Sequence, residues 1–220
     1  MISIIEHSTY CNVGCGQTPT PGWRNFDNSA SLLLARVPNS AWVLFRLGLI
    51  DASQFKFIEF ARKNHLEFGN AARGLPFKSG SVDVLYSSHM FEHLDHEEAI
   101  AFLREARRVL RSGAIMRLAV PDISKQVERY LSSGDADEFV ANTHLTQARP
   151  QGLVARLKVA FLGTRHHQWM YDGASLSKLL AAHGFRNITV QLPGETMIKN
   201  PGSLDLKERA DESVYVEATS

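Results

Sequence analysis

Two kinds of segment alternate along the chain. Short runs poor in charge, at Tyr10–Val13, Asn25–Asp27, Leu66–Phe68, Val82–Tyr86, Ala114–Val120, Asn187–Leu192 and Ser213–Thr219, predict seven strands. Val82–Tyr86 is apolar except for Asp83, the pattern of a strand covered on both faces. Between the strands, apolar positions recur at helical spacing. In the best-marked helix Ala99, Ile100, Leu103, Ala106 and Leu110 fall at i, i+3, i+4, with charges on the other face. Asp95 caps it, Glu98 completes a capping box, and Gly113 is expected to end it. Residues 29–63 read as helical in two or three pieces, broken near Pro38-Asn39 and Asp51-Ala52. Ile123–Leu131 and Glu138–Leu145 also read as helices, and Pro150–Leu162 as a flexible or helical excursion. A last helix runs from Ser175 to His183, with Asp172 upstream and Gly184 as its C-terminal glycine.

Strands separated by helices imply an α/β fold. It would be a Rossmann-like, seven-stranded, mostly parallel sheet with an antiparallel edge and helices on both faces. The expected organisation is one domain over residues 1–220, with helical insertions at about 29–63 and 123–172. Only ten residues separate Gly16 from Asp27, and Pro19 and Pro21 are among them. The first helix should therefore be shortened or missing, against about 20 residues at this place in a standard nucleotide fold.

Composition narrows the function. Lys+Arg is 24 and Asp+Glu 23, a net charge of +1, so no basic field collects nucleic acid and no nucleic-acid partner is expected. The apolar runs around residues 31–50 are broken by Arg36, Pro38 and Arg46, so no membrane span is expected. Residues 1–7 lack the form of a signal peptide. Cys11 and Cys15 make no disulfide framework and fit a cytoplasmic location. Four apart with no second pair, they hold no zinc either.

In such sheets ligands bind at the carboxyl ends of the strands. After the first strand comes Asn12-Val13-Gly14-Cys15-Gly16-Gln17, a glycine turn that lets backbone approach a ligand or simply turns the chain. After the second comes Asp27-Asn28, which can accept ribose hydroxyls or cap a helix. After the third comes Gly69-Asn70-Ala71-Ala72, and after the fourth Ser87-Ser88-His89-Met90-Phe91-Glu92-His93-Leu94. Each signal is ambiguous alone, but together they occupy four successive strand ends in order.

These segments resemble the class I S-adenosylmethionine-dependent methyltransferases, in their small-molecule branch. The resemblance rests on Asn12–Gly16, on Gly74–Leu85, on Phe91-Glu92-His93-Leu94 and on Glu105–Ala114. His167–Asp172, Leu179–Phe185 and Asp211–Ala218 resemble a bacterial group often linked to surface-polysaccharide genes. The chain departs from the family pattern at Asn12, where an acidic residue is usual, and at Thr18, where a third glycine is frequent. The resemblance implies S-adenosylmethionine as cofactor. Asn12, Gly14, Cys15, Gly16 and Gln17 would lie along it, Asp27 and Asn28 at the ribose, Asn70, Ala71 and Ala72 at the adenine, and Ser87, Ser88 and His89 at the methionine end.

The implied reaction is methyl transfer to a small-molecule acceptor, such as a sugar or surface-glycan precursor, by a monomer or homodimer. A hydroxyl acceptor needs a general base, for which His89, His93 and His167 are candidates, with Tyr171 and Asp122 in support, although His93 also reads as bonded to neighbouring loop backbone. Three other readings compete. One is a non-catalytic protein that binds S-adenosylmethionine or S-adenosylhomocysteine. Another, an NAD-dependent oxidoreductase, is disfavoured because position 19 is Pro where a third glycine is required. The last is a zinc hydrolase, since His89–His93 spells His-x-x-Glu-His. That motif needs a helix to bring its histidines together, and here it follows a strand. No metal ligand set is expected.

Overall fold

The computed structural model describes residues 8–29, 31–146 and 166–220. The seven expected strands are present: β1 Tyr10–Val13, β2 Arg24–Asp27, β3 Glu67–Phe68, β4 Val82–Ser88, β5 Leu110–Pro121, β6 Arg186–Gln191 and β7 Ser213–Thr219. They form one sheet in the order β3-β2-β1-β4-β5-β7-β6. The pairs from β3 to β5 are parallel, and β7 runs antiparallel to both β5 and β6. The strand order reverses between β1 and β4, which places the ligand crevice at their carboxyl ends.

Local chemistry accounts for the helix boundaries. Residues 31–63 hold three helices: α1 Ser31–Ala35, α2 Ser40–Arg46 and α3 Ala52–Lys63. Asn39, left-handed at φ 61°, breaks the first from the second, and Asp51 caps the third in a capping box with Gln54. The expected Asp95–Glu98 box opens α4, His96–Val109, and Asp172 with Ser175 opens α7, Gly173–Ala182. Between them lie α5 Ile123–Ser133 and α6 Ala136–Thr143. No described helix is long and apolar enough to cross a membrane.

The expected end of α4 is corrected. The helix stops at Val109, not at Gly113. Leu110 is already extended and paired with Val82, so strand pairing and burial of Leu110 outcompete another helical turn. Gly113 (φ 79°) instead serves the irregular stretch where the β4–β5 register shifts. The excursion at 150–162 lies outside the described residues.

One face of the sheet carries the larger core. Ala99, Phe102, Leu103 and Ala106 of α4 and Leu176 and Leu180 of α7 pack on Cys11, Val13, Leu85, Met116, Leu118 and Val216. Each large apolar side chain buried this way contributes about 1.5–3 kcal/mol. On the opposite face Val84, Tyr86, Ala119 and Tyr215 are covered by Ile198, Leu204 and Leu206, from a segment with no regular structure.

A buried ion pair anchors that covering segment. Arg117 of β5 and Glu217 of β7 are register partners, both side chains fully buried, at 2.7 Å. Arg117 also donates to the carbonyls of Glu195 (2.9 Å) and Leu206 (3.2 Å). Glu217 also accepts from the Thr196 hydroxyl at 2.6 Å and from the Met197 amide.

Candidate functional site

The cofactor end is built on the link between β1 and β2, residues 14–23, which contains no helix. Parallel strands ordinarily need a crossover of a dozen residues or more. Here side chains brace the shorter path. The Gly14 and Cys15 amides both donate to the Phe26 carbonyl, at 2.8 and 2.9 Å. Buried Asn12 donates its amide to the Thr18 carbonyl and the Thr20 hydroxyl, 3.2 Å each. Asn25 accepts from the Thr20 amide at 2.7 Å and donates to the Thr20 and Trp23 carbonyls. Gly14 sits at φ 75°, and a Cβ there would come within 2.3 Å of Met90 Cγ, so only glycine fits.

Asp27 is held in place. Its Oδ1 accepts from the Ser29 amide (2.7 Å) and its Oδ2 from the Gly16 amide (3.2 Å). A carboxylate has about four lone-pair sites, so room remains for two hydroxyl donors. Gln17 and Asn28 are exposed nearby in the chain. At the end of β3, Asn70 Oδ1 accepts from the Ala72 amide at 2.9 Å, with Ala71 buried between them. Burial, and then the charge of Asp27, push the Cys15 thiol up to about 12, and burial raises Cys11 as well. Neither cysteine is a thiolate at neutral pH.

The end of β4 is different in character. The Ser87 hydroxyl donates to the Val13 carbonyl (2.8 Å), tying β4 to β1. The Ser88 hydroxyl is buried without a hydrogen-bond partner. His89 has a left-handed backbone at φ 47°. Its Nε2 lies 2.8 Å from Ser213 Oγ, and its Nδ1 lies 3.3 Å from the Arg209 guanidinium and 3.5 Å from Glu92 Oε1. A single 3₁₀ turn, Phe91–His93, follows. Glu92 in this turn is 1% exposed, and neither carboxylate oxygen has a hydrogen-bond partner.

Three of the side chains nearest Glu92 are histidines. Besides His89, His93 Nε2 lies 3.9 Å and His167 Nε2 3.8 Å from Glu92 Oε1. His167 arrives from a distant segment that docks on the same turn: the Gln168 and Trp169 amides donate to the Glu92 carbonyl, at 2.7 and 3.2 Å. Burial lowers the His167 pKa, outweighing the charge of Glu92. Tyr171, buried 5.3 Å from the Phe91 ring, is pushed up to about 12 by burial and by Glu92.

The three catalytic candidates, His89, His167 and Tyr171, thus gather around Glu92. His93, also a candidate base, joins them, whereas Glu92 at the centre is not a residue that the sequence singles out. The signal that could have found Glu92 is its position: an acidic residue between Phe91 and Leu94, both buried in the core. The His-x-x-Glu-His string spans a strand end and a 3₁₀ turn, not a helix. His89 therefore engages Ser213, and the helical pairing of His89 with His93 does not arise.

Residues 49–118 match the family profile described as a methyltransferase domain. The matched stretch holds β3, β4, the Glu92 turn and α4, while β1 and β2 lie outside it. No curated protein matches. Among solved structures, an S-adenosylmethionine-dependent methyltransferase from Thermotoga maritima is similar at 14% identity and a TM-score of 0.53, over 98% of this chain and 84% of that one. One from Methanosarcina mazei is similar at 15% identity and a TM-score of 0.53, over 98% of this chain and 93% of that one. At these identities the likeness is one of fold.

Proposed function

We propose that the chain is a class I S-adenosylmethionine-dependent methyltransferase whose acceptor is a small molecule, with a sugar or surface-glycan precursor the favoured class; the methyltransferase-domain match over residues 49–118 supports the first part. The observation carrying this reading is that Glu92, His167 and Tyr171 are each buried beside the end of β4, with His93 half-buried at their edge. A polymer is better met by an open basic surface. The reading includes a cytoplasmic monomer or homodimer with no nucleic-acid partner, in keeping with a net charge of +1.

The bound cofactor supplies a methyl group on a positively charged sulfur, the hard part of the chemistry. The chain's residues position and polarise. Asp27, already fixed by two backbone amides, accepts the ribose hydroxyls in its remaining lone pairs. Asn70, Ala71 and Ala72 face the adenine. Gly14, Cys15 and Gly16, with Asn12 and Gln17 on the same loop, follow the methionine and ribose. Ser87, Ser88 and His89 line the methionine end, where the unpartnered Ser88 hydroxyl gains a ligand atom. The acceptor atom held at this end would take the methyl group that the bound cofactor supplies. The proton of a hydroxyl acceptor departs toward the Glu92 cluster. There His167 is neutral at pH 7 and able to accept, while Tyr171 stays protonated and donates.

Calorimetric titration with S-adenosylmethionine, S-adenosylhomocysteine and NAD tests the cofactor assignment. The two sulfur nucleotides should bind and NAD should not. Incubation with methyl-labelled cofactor and a panel of sugar nucleotides and envelope-glycan precursors tests the acceptor class. Binding without transfer to any of them would favour a non-catalytic binding protein.

A further inference from the structure

The turn after β4 and the segment carrying His167 bring together three groups that only accept hydrogen bonds. His93 Nδ1 lies 3.1 Å from the His166 carbonyl, and His167 Nδ1 lies 2.8 Å from the Thr143 carbonyl. A carbonyl cannot donate, so each Nδ1 carries the proton and each Nε2 is left with a lone pair. Both lone-pair nitrogens face Glu92 Oε1, at 3.9 and 3.8 Å, and all three atoms lie within 4.8 Å of one another. His89 Nδ1 also lies 3.5 Å from Glu92 Oε1 but is engaged by the Arg209 guanidinium at 3.3 Å, and both oxygens of Glu92 lack hydrogen bonds although the residue is 1% exposed. Converging acceptors in a buried place repel unless a cation sits among them.

We propose that Glu92, His93 and His167 form a binding site for a divalent transition-metal ion, of which Zn²⁺ is the type. Two imidazoles and one carboxylate are a known three-ligand set for zinc with an open fourth position. The absence of a thiolate in the cluster argues against soft ions, and its two nitrogens against Ca²⁺ and Mg²⁺. The bonds from each Nδ1 to a backbone carbonyl are the outer contacts that fix metal-binding histidines in tautomer and orientation. With metal–ligand bonds of about 2.0–2.2 Å, the ligand atoms of a tetrahedral site stand about 3.3–3.5 Å apart. The two separations from Glu92 to the histidines need to contract by roughly half an ångström to reach that geometry. The His93 side chain is 33% exposed, so the cluster opens to solvent on that side, where an acceptor oxygen can take the fourth position.

The proposal rests on the acceptor reading above and changes one part of it: with Nε2 on the ion His167 no longer takes the acceptor's proton, and the ion would instead polarise and acidify that oxygen. The ion site itself is argued from the cluster's geometry, however, and not from transfer. The test is titration of the full-length, tag-free protein with Zn²⁺ followed by calorimetry, and with Co²⁺ followed by its visible ligand-field spectrum. One equivalent should bind. Glu92→Gln, His93→Gln and His167→Ala should each weaken binding more than about tenfold, and His183→Ala should not. S-adenosylhomocysteine titration of each variant reports folding and cofactor binding separately. Should His167→Ala fail to fold, the half-exposed His93→Gln carries the test. Absence of stoichiometric binding to the wild type overturns the proposal and leaves a proton as the shared cation. Metal binding that survives unchanged in Glu92→Gln and His93→Gln overturns it as well.

Discussion

The carboxyl ends of β1 and β4 are neighbours in the sheet and opposites in chemistry. At β1 the side chains of Asn12, Asn25 and Asp27 all have partners within the protein. At β4 the Ser88 hydroxyl and both oxygens of Glu92 have none. A buried polar group without a partner costs about 1–3 kcal/mol, and more when it is charged. The contrast separates two tasks. The β1 loop has lost the helix that ordinarily shapes it, and its own hydrogen bonds hold it in place before any ligand arrives. The β4 turn leaves Ser88 and Glu92 without hydrogen bonds, and these two are the groups that a ligand there can complete.

The sharpest way to break this contrast is at the contact between the two ends. Gly14→Ala drives a methyl group into Met90 at a left-handed backbone position and should destabilise the protein by about 2–4 kcal/mol. Urea denaturation measures this, and adding Met90→Ala should restore part of the loss. Next in size is Asn12→Asp, which restores the usual acidic residue of this position but removes two donated hydrogen bonds. Stability should fall by about 1–3 kcal/mol with no gain in cofactor affinity. Tighter cofactor binding at unchanged stability would move Asn12 from bracing the loop to facing the ligand.

The third comparison pairs one carboxylate from each end. Asp27→Asn should weaken S-adenosylhomocysteine binding by about 1–2 kcal/mol, roughly 5–30-fold, while Glu92→Gln leaves it nearly unchanged. Calorimetry on the two variants decides whether the ends work independently. The smallest effect is a pH dependence. Burial lowers the His167 pKa in the folded state, so below the unfolded value of about 6.5 the unfolded chain binds more protons. Stability should therefore be full above that pH and decline as pH falls through it. The decline should be weaker in His167→Gln, as read from thermal melts across pH 5–7.5.

β4 was legible because a central parallel strand is buried on both faces and reads as an apolar run, whereas β2, β3 and the mostly exposed edge strand β6 carry polar residues and were legible only by their place between helices and turns. The missing first helix was legible in the close spacing of Gly16, Pro19, Pro21 and Asp27. The end of α4 was not, because Gly113 carries a stop signal that a long-range pairing, Leu110 with Val82, makes irrelevant. Asn12 was recognisable as a position in a motif, but its bonds to Thr18 and Thr20 depend on a loop path that no spacing rule describes. The convergence on Glu92 was hidden for a related reason. His167 reaches it through backbone bonds between segments far apart in sequence, and such docking leaves no periodic trace.

The Arg117–Glu217 pair imposes an order of assembly. Its cation lies in β5, but its anion comes only with β7, the last strand in the chain. Arg117 of β5 precedes Glu217 of β7 by 100 residues, so until β7 is in place Arg117 has no carboxylate partner. A register slip of one residue between β5 and β7 would send both charges to opposite faces. A chain stopped before β7 would leave Arg117 without its carboxylate partner, and its β5 should be open to proteases. Pulse-labelled chains truncated at residue 210 would show it as protease sensitivity reaching back into β5.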